Sequence, residues 1–258
     1  VMGEFVSLSD FFPLNVIEGL YTNYTKDGPE PIEYGLPVPP VRGGVYVMGA
    51  DLGQSKDPTE VIVWRVDCDP VQAVFIDTRK GGGWEGGKQF VKFAHTLYTP
   101  IWTAVDATGG GGHIAEQLMT ELDGIIPFVF SYTSKPLILT ALQYAAQRRK
   151  FVFPFGQQTQ GLINQMSFYR TDDKGLTQDK VMALALVNHA YERWGATNQM
   201  HTEIFEDLAF IDVKRGGQEI YGTDTFGPGT LFHFDRSSGM YLPDGYTDGD
   251  MEDDEWYF

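Results

Sequence analysis

The chain is poor in cysteine, in basic residues and in long apolar runs, and each shortage removes a class of protein. Cys68 is the only cysteine in 258 residues, so no internal disulfide can form. Its expected role is that of a small packed residue beside a strand. No apolar run approaches the roughly 18 residues of a membrane-spanning helix, so no membrane segment is expected. The first ten residues carry Glu4 and Asp10 and no base, unlike the basic start of a secretory signal. The first residue is Val1 rather than Met, which suggests a piece of a longer protein. Lys and Arg number 19 against 35 Asp and Glu, a net charge of −16, the opposite of the basic footprint usual in nucleic-acid binders. The acidity is uneven. Asp244, Asp248, Asp250, Glu252, Asp253, Asp254 and Glu255 give residues 240–258 seven acids and no base. That tail is expected to be solvated. Screening over about 10 Å at 0.1 M salt leaves room for a basic patch elsewhere to act locally. The five histidines (His95, His113, His189, His201, His233) show no zinc spacing, and His113 reads as a helix N-terminal residue.

What is present is a folded core, with 42% hydrophobic residues, in a length that suits one large domain or one domain with extensions. A short helix is expected around Leu14–Tyr21. Val45–Ala50, Thr59–Val66 and Gln72–Asp77 read as strands joined by short turns, hence an antiparallel meander. Gly81–Gly87 reads as a flexible loop. Phe90, Val91, Phe93, Ala94 and Leu97 have helical spacing. A strand over Trp102–Asp106, a helix from His113 to Leu122, a strand over Pro127–Tyr132, a helix from a capping Ser134 to Arg149 and a short strand at Phe151–Phe153 follow. Gly161–Phe168 and Asp179–Trp194 read as helices, the latter with a largely apolar body. Asp172-Asp173 with Lys174-Gly175 reads as a hairpin turn. Glu219–Tyr221 and Thr230–Phe234 are further candidate strands. The order is β-β-β-α-β-α-β-α-β-α-α. This is the α/β pattern of an RNase H-like fold, a mixed central sheet (antiparallel meander plus parallel strands) flanked by helices.

Within that pattern, Val45–Asp51 is an apolar run that ends on a carboxylate and a glycine turn, and Ile101–Asp106 repeats the arrangement before four glycines. Ligands in such sheets bind beyond strand carboxyl ends. If the two strands are neighbours, Asp51 and Asp106 face one point, and two like charges held that close need a cation. Asp179 opens an apolar helix and adds a third carboxylate. Oxygen ligands of this kind suit Mg²⁺ or Mn²⁺, and the chemistry they imply is metal-dependent hydrolysis of a phosphodiester. Two metals about 4 Å apart would activate a water and stabilise the leaving oxygen, Asp51 bridging them and Asp106 and Asp179 each favouring one. Taken singly, each aspartate is equally a turn former or a helix-terminal charge. Thr108 and the glycines Gly109–Gly112 read as a cap for the next helix and a place where N–H groups meet a phosphate. Gly82–Gln89 nearly fits a phosphate-binding loop, but Gln89 replaces the hydroxyl that would hold Mg²⁺. Lys135, Arg148 and Arg149 lie on one predicted helix and are the candidate contacts to a phosphate backbone. The plainer reading of the arginines is a helix C-terminus complemented by cations.

Together these residues resemble the nuclease domain of tailed-phage large terminase subunits, over about residues 2–194. Gly49-Ala50-Asp51-Leu52-Gly53 through Asp57-Pro58-Thr59-Glu60-Val61 resembles its first metal motif, Val105-Asp106-Ala107-Thr108-Gly109 its second and Asp179–Ala185 its third. Met2–Val6 with Phe12-Pro13 resembles the segment that links the family's ATPase to its nuclease. Ser131–Lys135 resembles the segment before the family's helix, where a lysine approaches DNA. The third motif often carries two adjacent acids, and here Gln178 precedes Asp179. The resemblance implies residues 1–43 as a linker from an ATPase domain of the same full-length protein, 44–195 as the nuclease and 196–258 as an extension. It also implies a Mg²⁺- or Mn²⁺-dependent endodeoxyribonuclease that cuts concatemeric viral DNA during packaging in the host cytoplasm. Its partners would be double-stranded DNA, the portal protein and the small terminase subunit, with no membrane. Three other readings are an actin-like or sugar-kinase ATP-binding half, a non-catalytic docking module of the motor, and a resolvase. ATP binding without DNA cleavage would mark the first, and preference for branched DNA the last.

Overall fold

A computed structural model describes residues 11–20, 36–54, 57–154, 157–170, 178–209, 232–235 and 240–243, with side chains through 197. The chain divides into two units, residues 1–208 and 209–258. The first holds a six-stranded sheet. Strands β1 (Tyr46–Asp51), β2 (Thr59–Arg65) and β3 (Val71–Arg79) form the antiparallel meander, and β4 (Trp102–Asp106), β5 (Ile125–Phe128) and β6 (Phe151–Val152) complete the order β5-β4-β1-β2-β3-β6. β4 runs parallel to β1, β5 to β4, and β6 to β3. The mixed sheet expected from the element order is therefore present.

Side chains alternate across the sheet. Val47, Ile62, Trp64 and Ala104 face α1 (Leu14–Leu20), α4 (Ser134–Gln147), α5 (Gln157–Phe168) and α6 (Asp179–Ala209). Met48, Val61, Val63 and Val105 face α2 (Gly83–Tyr98) and α3 (Gly111–Glu121). Trp64 is fully buried and stacks on Phe151 at a centroid distance of 4.6 Å. The segment expected as a linker joins this core through Phe12, Ile17 and Leu20.

Several elements differ from the sequence reading. The glycine stretch at 81–87 is a loop only through Gly81 and Gly82, whose positive φ angles (79° and 76°) make the turn. From Gly83 it is the first turns of α2, where Gln89 donates to Glu85 at 2.8 Å and Gly87 leaves room for the Thr59 hydroxyl. Its glycines serve close packing, not flexibility. β5 is shorter than expected and shifted back to Ile125–Phe128, because after Phe128 the Phe130 N–H leaves the ladder to donate to Thr108 Oγ1. Ser134 does not cap its helix: it is the first helical residue, and its hydroxyl donates to Val129 O. α6 runs on to Ala209, past the expected end at Trp194. In the second unit β7 (Phe232–Asp235) pairs antiparallel with β8 (Met240–Pro243), matching part of the expected strand at Thr230–Phe234. The turn at Asp172-Asp173, the strand at Glu219–Tyr221 and the acidic stretch 244–258 lie outside the described residues.

Candidate metal centre

Register places a row of polar groups across four neighbouring strands. β1 and β4 pair with Ala50 opposite Val105, so Asp51 and Asp106 end their strands side by side. Asp51 is the cross-strand partner of Glu60 on β2, and Glu60 is the partner of Thr78 on β3. Asp106, Asp51, Glu60 and Thr78 thus share one face, the face that carries α6. Gly49 sets how closely that helix approaches. A methyl group there would collide with the Ala183 carbonyl oxygen and the Val187 nitrogen of α6. Asp179 stands one turn before Ala183, about 6 Å along the helix axis, and Asp51 lies two residues past Gly49, about 7 Å along the strand. The helix therefore delivers its first residue to the end of β1.

The carboxylates perturb one another as this placement requires. Burial pushes Asp51 well above the usual carboxylate range, and the charges of Asp106, Asp179 and Glu60 push it further. Asp51 and Asp106 lie within hydrogen-bonding reach of each other. Asp106 is raised by burial, against the lowering effects of Thr108, Asp51 and the Lys135 charge. Its Oδ1 accepts the Thr108 N–H at 2.8 Å, which fixes the carboxyl at the strand end. Asp179 is raised by burial and by Asp57, and lowered by Lys180 and Lys135. The three predicted carboxylates therefore share one electrostatic neighbourhood, with Asp57 at its exposed edge. Among the described residues no three His, Cys, Asp or Glu groups form a ready-made ligand cage. The donors that do gather are hard oxygens whose ionised forms repel, and a divalent cation is the partner that both features fit.

The basic candidates separate. Lys135, half-buried at the start of α4, acts electrostatically on both Asp106 and Asp179. Arg148 and Arg149 close the same helix, about 20 Å away at 1.5 Å per residue. Arg148 lies over the Tyr144 ring at 4.1 Å, and Arg149 packs its guanidinium against Gly19 of α1. Thr108 does not cap α3: its hydroxyl accepts the Phe130 N–H at 2.8 Å, tying the β4 end to the β5 end, while Gly110 occupies the cap position. His113 packs edge-on against Trp84 at 6.0 Å. Lys88, the lysine of the near phosphate-loop pattern, is held by Gln117, Glu85 and Glu121.

Sequence reading passed over Lys180 and the role of Glu60. Lys180 forms an ion pair with Glu60 Oε2 at 2.6 Å and also contacts Thr78 Oγ1. Burial raises the Glu60 carboxyl despite that partner. The available signal was the hairpin itself: once Asp51 and Glu60 flank one turn, they pair across it.

No family model and no curated protein matches the sequence. The fold does match solved structures. The large terminase nuclease of thermophilic phage G20c with bound magnesium aligns with a TM-score of 0.57 at 18% identity, over 71% of this chain and 98% of that one. The large terminase nuclease domain of Thermus phage P74-26 aligns with a TM-score of 0.54 at 19% identity, over 69% and 94%. A mutant nuclease domain of the large terminase subunit of bacterial virus Sf6, with manganese and beta-thujaplicinol, aligns with a TM-score of 0.50 at 11% identity, over 69% and 98%. The G20c nuclease is also known with bound zinc and with bound cobalt. The chain has the fold of these nuclease domains, and the resemblance read from its motifs holds at the level of fold.

Proposed function

We propose that this chain is the nuclease part of a phage large terminase, a Mg²⁺- or Mn²⁺-dependent endodeoxyribonuclease that cuts concatemeric viral DNA by two-metal phosphodiester hydrolysis. The observation that carries the proposal is the convergence of Asp51, Asp106 and Asp179 at adjoining strand and helix ends, where burial and the neighbouring carboxylates push Asp51 above the usual carboxylate range. The metal-bearing neighbours of the same fold support it.

Asp51, Asp106 and Asp179 would hold the cations, with Asp57 at the edge of the set. Bound divalent ions supply Lewis-acid polarisation of the phosphate and a water acidified enough to act as nucleophile. The remaining work belongs to the chain. Thr108 holds the Asp106 carboxyl in place through its N–H. Lys135 would serve as a cation for a non-bridging phosphate oxygen, and Arg148 and Arg149 would meet a second stretch of backbone. Double-stranded DNA is the substrate in this reading. An ATPase domain of the same full-length protein, the portal protein and the small terminase subunit are the partners. No described helix is long and apolar enough to cross a membrane.

The test is nicking and linearisation of supercoiled plasmid in Mn²⁺, in Mg²⁺ and in EDTA. The wild type should cut in either metal and not in EDTA, and Asp51→Asn should lose at least a hundredfold in rate while remaining folded. Full activity of Asp51→Asn, or cutting that persists in EDTA, would overturn the assignment.

A further inference from the structure

Lys180 is gripped from four sides. Its N–H donates to Gln165 Oε1 of α5 at 2.9 Å. Its stem passes Gly161, where a methyl group would come within 3.2 Å of Lys180 Cε. Its ammonium group meets Glu60 Oε2 of β2 at 2.6 Å and the Thr78 hydroxyl of β3. Glu60 is only 2% exposed, and the Thr78 hydroxyl donates to the same Oε2 at 2.6 Å. One residue at the start of α6 is thus tied to α5, β2 and β3, and the residue joined to it by a single peptide bond is Asp179. The pair also lies within the polar row, because Glu60 is the cross-strand partner of Asp51. An ion pair serving only stability needs none of this adjacency. Packed apolar residues hold such places at least as well, since desolvation offsets much of the attraction.

We infer that Lys180 is a positioning residue: anchored to Glu60 and Thr78, it fixes the first turn of α6 so that the Asp179 carboxylate reaches the Asp51–Asp106 pair. This rests on the nuclease reading of the site. Outer groups that hold metal ligands typically matter 10–100-fold in metal affinity, and that is the size of effect expected here.

The experiment uses the 258-residue chain and three variants, Lys180→Met, Glu60→Gln and the double variant. Mn²⁺ affinity is measured by titration calorimetry, melting in EDTA, and kcat and KM on plasmid. Lys180→Met should weaken Mn²⁺ binding about 10–100-fold and lower kcat with little change in KM. The double variant leaves no unpaired buried charge. It should therefore recover the melting midpoint but neither the affinity nor kcat, because the tether of Asp179 is still missing. If Lys180→Met alone does not fold, the double variant carries the same comparison. Mn²⁺ affinity within twofold of wild type in Lys180→Met, or recovery of affinity together with the midpoint in the double variant, overturns the inference and reduces the pair to a stabilising contact. A wild-type chain that binds no Mn²⁺ overturns the nuclease reading, and this inference with it.

Discussion

At the scale of single residues, the site is built against its own charge. Asp51, Asp106 and Asp179 all hold their protons more tightly in the folded chain than an ordinary aspartate, first because of burial. The sign of the linkage follows. Between the unfolded value, about 3.9, and the raised folded values, the folded state binds more protons than the unfolded one. Its stability therefore falls as pH rises through that window. The metal-free wild type should lose melting temperature across it, and Asp51→Asn should lose less and melt higher near neutrality. A kcal/mol relieved in a domain of this size moves the midpoint by about 2–4 °C. Millimolar Mn²⁺ should raise the wild-type midpoint, by about 2.7 kcal/mol of stabilisation at a hundredfold excess over Kd, and should leave Asp51→Asn nearly unmoved. Scanning calorimetry in EDTA and in Mn²⁺ over a pH series separates these outcomes. An Asp51→Asn variant that tracks the wild type in both would show that Asp51 is not the focus of the repulsion.

Among the elements, the contact of β1 with α6 matters most, and one glycine controls it. Gly49→Ala would drive a methyl group into the backbone of Ala183 and Val187, where no side chain can swing aside. The expected cost is at the upper end of the about 1–3 kcal/mol typical of overpacking, read as a lower urea midpoint. Mn²⁺ affinity should fall as well, because the helix that carries Asp179 must move away. Unchanged affinity in a folded Gly49→Ala chain would mean that the helix position does not set the site. The sequence makes much of this level legible. Near-continuous apolar runs bounded by turns mark the strands, which are buried on both faces, and an aspartate at the end of each of two such runs marks the candidate site before any sheet is assembled. What stays hidden depends on register. Glu60 looks like an ordinary polar strand start until its hairpin is aligned with Asp51, and Lys180 looks like a solvated helix residue until β2 is placed beneath it. Gly81–Gly87 misleads for a related reason, since glycines that admit Thr59 and turn the chain have the same letters as glycines that loosen it. Lys135 and Arg148 share a helix in the sequence, and only the rise of that helix shows that they occupy opposite ends.

For the whole molecule, charge would decide how DNA approaches if the proposed nuclease reading holds. The net charge of −16 repels a polyanion, and seven of the acids sit in residues 244–255. On the proposed reading, Lys135 and Arg148, about 20 Å apart along α4, would meet separate phosphates. Loss of each should lower the slope of log affinity against log salt by about 0.9, and the two losses should add. A slope unchanged in Lys135→Ala with Arg148→Ala would remove α4 from the DNA path. The acidic tail should act in the opposite sense, as a charge that discourages entry until another component of a packaging machine captures it. Its effect needs no fixed contact, only a Debye length long enough to reach the incoming DNA. Deleting residues 244–258 should therefore raise DNA affinity and cleavage rate several-fold at about 0.01 M salt, where the Debye length is about 30 Å. The gain should vanish near 1 M, where it is about 3 Å. A truncated chain that cuts no faster than the intact one at low salt, or whose gain persists at high salt, would show that the tail is not an electrostatic gate.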